Sequence, residues 1–152
     1  YLFSRYKKMS FFKLADTVII GVPLAQAIGR WGNFINQEAH GGPTNLPWGI
    51  MVNGEKVHPT FLYESIWNIG IFIFLWIFRK KKQYEGEVIV LYTILYSLGR
   101  FFIEGLRTDS LMIGPFRMAQ VISLVGVIGG IIVHIYLSKK SKQEENVDIK
   151  ES

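Results

Sequence analysis

The segment FLYESIWNIGIFIFLWIF, from Phe61 to Phe78, decides the fold class of this chain. Glu64 is its one charged residue. At about 1.5 Å per residue, a helix of this length extends about 27 Å, close to the hydrocarbon thickness of a bilayer. The segment therefore predicts a transmembrane helix.

Three further apolar segments lie on either side of it, at about Leu14 to Ile28, Val88 to Ile103 and Met118 to Leu137. The chain has 152 residues, of which 49% are hydrophobic, and this exceeds what a soluble domain of the same length needs. We therefore predict an all-α polytopic membrane protein with about four transmembrane helices.

The basic residues form three clusters between the apolar segments, at positions 5–13, 79–82 and 139–142. With four spans, all three clusters lie on one side of the membrane, as the positive-inside rule requires of cytoplasmic loops. This pattern predicts that both ends are cytoplasmic. It also argues against nucleic-acid binding, which needs a continuous basic surface, despite the net charge of +5.

The polar segments predict two smaller features. Asn53-Gly54, between GIMV and EKV, is typical of a short hairpin in a loop on the outer side. We assign residues 1–138 to the transmembrane region and residues 139–152 to a polar cytoplasmic tail, for which the composition predicts disorder. Cysteine is absent and the three histidines lack metal-ligand spacing, so we predict neither a metal site nor a cofactor.

Charged side chains inside the third segment need an explanation, because each costs about 2.5 to 3.5 kcal/mol on insertion scales. Arg100, Glu104 and Arg107 recur at i, i+4 and i+7, with Tyr96 one turn earlier, and therefore share one helix face. One interpretation is a structural ion pair between helices.

The other interpretation is an anion site at the outer headgroup level. Arg30 and Asn33 end the first segment on that side, and His58 and Glu64 begin the second there. Two or three arginines at one depth exceed what the glutamates need for pairing, and arginine binds phosphate bidentately. His58 also has a purely structural interpretation, as a hydrogen-bonding residue at a helix start.

Four sequence blocks resemble one family of membrane enzymes. GRWGNFINQEAHG, from Gly29 to Gly41, resembles the signature GR-x-GNF-x-N-x-E-x-x-G of bacterial prolipoprotein diacylglyceryl transferases. Three more blocks match in order: HPTFLYE (58–64), YSLGRFFIEGLR (96–107) and IGPFRMAQVISL (113–124).

The resemblance implies a seven-span enzyme of the bacterial plasma membrane with its active site toward the outer face. Such an enzyme transfers a diacylglyceryl group from phosphatidylglycerol to the lipobox cysteine of a prolipoprotein. Membrane lipids, phosphatidylglycerol and the lipobox peptide are then the partners, and no cofactor is involved. The residues carried over as catalytic are Arg100 and Glu104; those carried over as substrate-binding are Arg30, Asn33, Glu38, Gly41, His58, Glu64, Tyr96 and Arg107.

The chain departs from the family at its start. It begins at Tyr1, after the position of about three family spans that include a His-Gly-Gly block, and we expect it to be the later part of a longer protein. Either His58 or Glu104 then remains a candidate for the general base that accepts the thiol proton. The alternatives are a truncated, non-catalytic homologue that binds anionic lipid or a membrane partner and, more weakly, an anion transporter.

Overall fold

The computed structural model describes residues 1–108 and 110–151, and within them the chain is mostly helical. The elements are α1 (Leu2–Tyr6), α2 (Phe11–Ile19), α3 (Gly21–Ile35), β1 (Ile50–Val52), β2 (Glu55–Val57), α4 (Thr60–Phe78), α5 (Glu87–Glu104), β3 (Met112–Ile113), β4 (Phe116–Arg117) and α6 (Met118–Glu151). The predicted all-α class is confirmed.

Three helical segments of the described chain are long and apolar enough to cross a membrane. They are Phe11–Ile35, which combines α2 and α3, Thr60–Phe78, and Met118–Glu144. The first is longer than the sequence predicts, because the helix continues beyond Ile28 into the polar signature and ends at Ile35. Helix α5 has 18 residues but carries three charged side chains, and its crossing of the membrane stays a prediction.

The helices pack in chain order, and α5 makes its most extensive contacts with α6. The apolar core lies where Ile20 meets Ile71 and Leu75 of α4 and Val88 of α5. On α6, Gly126 and Gly130 face α5, where an added Cβ would lie 2.5 Å from Ser97 Oγ and from Ile94 Cγ1 respectively. This spacing of small residues allows two membrane helices to approach closely.

One end of the bundle is held by Asp16 of α2, which is only 3% exposed. Its Oδ2 accepts hydrogen bonds from the Gly86 amide (2.9 Å) and the Lys82 ammonium (3.1 Å), and its Oδ1 accepts one from the Ile89 amide (3.2 Å). These amides belong to the N-terminus of α5, where a negative charge is favourable. Asp16 therefore fixes the start of the helix that carries Arg100.

Two hairpins lie at the opposite end. The predicted hairpin is confirmed: β1 pairs antiparallel with β2, and Asn53 (φ 50°) and Gly54 (φ 85°) occupy the turn. A second, shorter hairpin pairs β3 with β4 around Gly114 (φ 58°), and the sequence did not predict it.

The C-terminal tail continues the last helix. Helix α6 extends to Glu151, whereas the disorder expected for residues 139–152 stays a prediction, and Ser152 lies outside the described residues. The tail is rich in lysine and glutamate, which are good helix formers, and Lys140 pairs with Glu144 at i, i+4. A composition too polar for a packed core therefore still extends an existing helix.

Candidate functional site

The centre of the site is Glu64, on the second turn of α4 and 6% exposed. Its Oε2 pairs with Nε of Arg30 from α3, and its Oε1 accepts a hydrogen bond from Arg100 of α5 at 2.8 Å. One carboxylate thus joins three helices. We call Glu64, Arg30, Arg100 and Glu104 the arginine cluster.

Glu104 completes this cluster. Its carboxylate Oε2 forms an ion pair with the second terminal nitrogen of Arg100 at 2.7 Å, across one helical turn as the spacing predicted. Both carboxylates are buried, whereas the side chains of Arg30 and Arg100 are 22% and 23% exposed. The negative charges therefore lie inside and the guanidinium groups lie at the accessible edge, an arrangement suited to an anion.

Gly41, the last residue of the signature, and the adjacent Gly42 connect this end of the bundle to two other segments. The Gly41 amide donates to the His58 carbonyl at 2.9 Å, and the Gly42 amide donates to the Leu106 carbonyl at 3.0 Å. A Cβ at Gly41 would lie 2.6 Å from the His58 Cβ and 2.9 Å from the Leu106 oxygen. Only glycine fits there, so the signature closes the gap between the start of α4 and the end of α5.

Arg117 is a cluster neighbour that the sequence analysis missed. Its guanidinium donates to the carbonyl oxygens of Glu104 and Arg107, the latter at 2.8 Å, and so satisfies the C-terminus of α5. The signal was present in the matched block IGPFR, where an arginine follows a turn directly before an apolar span.

Beside the arginine cluster lies a cavity of about 230 Å³ with two chemically different walls. Arg100, Glu104 and Arg107 form the charged wall. Apolar side chains form the facing wall: Leu111, Met118, Ala119 and Ile122. A ligand with a charged head and an apolar body matches both walls.

His58 takes part in a separate hydrogen-bond chain. Trp48 Nε1 donates to the Tyr63 hydroxyl oxygen at 2.9 Å, and that oxygen lies 3.3 Å from His58 Nδ1. The Tyr63 hydroxyl accepts from Trp48, and the direction of its contact with His58 depends on the tautomer of the imidazole.

Asn33 and Glu38 lie apart from the contacts of the arginine cluster. They line a cavity of about 280 Å³ below the first hairpin, together with Gln37, His40 and Phe61. Tyr96 does reach the cluster, because it lines a small cavity with Arg100 while its ring stacks on Tyr92. The structure thus brings together five of the predicted site residues: Arg30, Glu64, Tyr96, Arg100 and Glu104. Gly41 and His58 lie at the same end of the bundle and are joined to each other by a backbone hydrogen bond.

The chain matches a known family over most of its length. A family profile described as prolipoprotein diacylglyceryl transferase matches residues 1–136. A protein named phosphatidylglycerol–prolipoprotein diacylglyceryl transferase, from Clostridioides difficile strain 630, is 76% identical over 142 residues, which cover 93% of this chain and 57% of the relative.

Two further relatives carry the same name. That of Clostridium novyi strain NT is 55% identical over 93% of this chain and 59% of its own length, and that of Finegoldia magna is 49% identical over 92% and 57%. This chain therefore spans somewhat more than half the length of the curated relatives that it matches. By the extent of the family match and these identities, the chain belongs to the prolipoprotein diacylglyceryl transferase family.

Proposed function

We propose that this chain takes part in the transfer of a diacylglyceryl group from phosphatidylglycerol to the lipobox cysteine of a prolipoprotein. The observation that carries the proposal is the arginine cluster, in which two buried carboxylates hold two accessible guanidinium groups at one end of the bundle. The names of the relatives supply the substrates.

The reaction forms one bond and breaks one. The thiolate sulfur attacks the glyceryl carbon that bears the phosphate ester, a C–S bond forms, and the C–O bond to the phosphate breaks. Glycerol phosphate leaves with the electron pair of that bond, and a base accepts the proton of the thiol. Negative charge therefore accumulates on the departing phosphate group.

Arg30 and Arg100 are the residues that we assign to this developing charge, because preorganised donors stabilise charge without reorganising during the reaction. The contact of Arg30 with Glu64 uses Nε, one of the five donors of a guanidinium. Glu64 and Glu104 hold the two arginines in place. The cavity between Arg107 and α6 suits a lipid, with its headgroup at the arginines and an acyl chain against Met118 and Ile122.

We further propose that the arginine cluster faces the outside of a bacterial plasma membrane and that the C-terminus is cytoplasmic. Contacts between Lys82 and Asp16 and between Gln83 and Ser138 support this, because they gather the basic clusters at the other end of the bundle. The chain has no cysteine, so single cysteines report sidedness directly. In intact cells, an impermeant maleimide should label Asn45→Cys, and Lys139→Cys only after permeabilisation; the reverse pattern contradicts the orientation.

The activity itself is tested with phosphatidylglycerol, a lipobox peptide and the native gene product that contains these 152 residues. Arg30→Ala and Arg100→Ala should each lower thioether formation by about 10²- to 10³-fold. Arg79→Ala is the matched control, since Arg79 stacks on Trp76 at the other end and should leave transfer unchanged.

Two results would redirect the proposal. Loss of folding in both cluster variants favours a structural ion pair. Lipid binding without thioether formation by the unsubstituted protein favours a non-catalytic homologue. The same assay on the 152-residue chain alone measures how much of the activity this part carries.

A further inference from the structure

Asn68 of α4 presents a buried polar atom that the proposed chemistry does not use. The residue is 2% exposed and lies one turn after Glu64. Its side-chain oxygen is fully buried and has no hydrogen-bond partner among the described residues. A buried acceptor left unsatisfied costs about 1–3 kcal/mol, and a membrane span offers no bulk water to satisfy it.

A cavity of about 10 Å³ lies against this side chain, between α4 and α5. Besides Asn68, its polar lining consists of Glu64, Tyr96 and Arg100. This volume corresponds to about one water molecule, and a buried water needs two to four polar partners. The cavity is too small for a phosphate group or a lipid, and the neighbouring guanidinium disfavours a cation.

We propose that this cavity holds one structural water molecule, which donates one hydrogen bond to the Asn68 oxygen and one to the Glu64 carboxylate. Its oxygen accepts from Arg100 or from the Tyr96 hydroxyl. Asn68 is then a positioning residue: through the water it orients the carboxylate that holds Arg30 and Arg100. The catalytic consequence rests on the proposed function, whereas the water site itself does not.

The first test is structural and independent of activity. A structure of the native gene product, at a resolution that shows other buried waters, should contain a density peak within hydrogen-bond distance of Asn68 and Glu64. Asn68→Leu has the same branching but no acceptor, and it should displace the peak. Asn68→Ser keeps a hydroxyl and should retain it. An empty cavity, or a direct protein partner for Asn68, overturns the proposal.

The second test measures positioning. Asn68→Leu should lower kcat for diacylglyceryl transfer by about ten- to a hundredfold with a nearly unchanged KM for phosphatidylglycerol, as misplaced catalytic groups do. Asn68→Ser should keep most of kcat. Equal kcat values for the two variants, or an effect on thermal stability alone, refute the positioning role. If the unsubstituted protein transfers nothing, the proposed function fails while the density still decides the water site.

Discussion

Replacing Glu64 by glutamine is the most direct perturbation of the arginine cluster. The amide has the same shape but no charge, so Arg30 loses its ion pair and Arg100 keeps only Glu104. Removing one partner of a buried ion pair typically costs about 3–5 kcal/mol. Because the two arginine side chains are 22% and 23% exposed, solvent compensates in part, and we expect a loss near the lower limit, about 3 kcal/mol.

The assay is the free energy of unfolding in mixed detergent micelles, measured for Glu64→Gln and for Glu38→Gln. Glu38 is exposed and its carboxylate accepts from the Asn36 amide, so its substitution should change stability by no more than about 0.5 kcal/mol. A double-mutant cycle with Arg30→Gln then isolates the pair. The cycle should show a coupling energy between about 0.5 and 3 kcal/mol.

A specific result would refute this account. If Glu64→Gln unfolds like the control and the cycle shows a coupling below about 0.5 kcal/mol, the carboxylate does not hold Arg30. The positioning of the guanidinium groups by Glu64 would then have to be abandoned, and the argument for a preorganised anion site with it.

Three further predictions concern other parts of the bundle. Gly41→Ala should destabilise the protein by about 1–3 kcal/mol, because its Cβ would collide with His58, whereas Gly29→Ala, in open space on α3, should be neutral or slightly stabilising in the same unfolding assay. Asp16→Asn should cost about 1–3 kcal/mol in unfolding free energy, since an amide cannot accept at both positions, and an unchanged value contradicts its role at α5. Burial, aided by nearby carboxylates, raises the pKa of Tyr84 from 10.0 to about 12. Because the folded-state pKa is the higher one, stability should fall as pH rises from about 10 to about 12, and Tyr84→Phe should reduce that alkaline loss.

Features set by neighbouring residues could be predicted from the sequence. The hairpin at Asn53-Gly54 follows from two residues that accept positive φ, and the pairing of Arg100 with Glu104 follows from helical spacing. Helix α4 follows from the length and apolarity of its segment. Each of these depends on a short stretch of chain and requires no knowledge of how the helices meet.

Features set by the register between helices could not be predicted. Asp16 appears in the sequence as a lone acid in an apolar run, and its partners on α5 lie about seventy residues away. The same limit applies to Glu64, which the sequence placed at the depth of the arginines without identifying Arg30 and Arg100 as its two partners.

Helix α5 links these unpredicted contacts to the proposed chemistry. Asp16 holds its first turn, while Glu64 and Arg117 hold its last, so its position along the bundle axis is specified at both ends. A slide of one helical turn, about 5.4 Å, would separate Arg100 from Glu64 and the Gly86 amide from Asp16 together. Because the two ends are joined by one rigid helix, a substitution at Asp16 should also shift the position of Arg100. The placement of the guanidinium groups is therefore a property of the whole bundle and not of the signature alone.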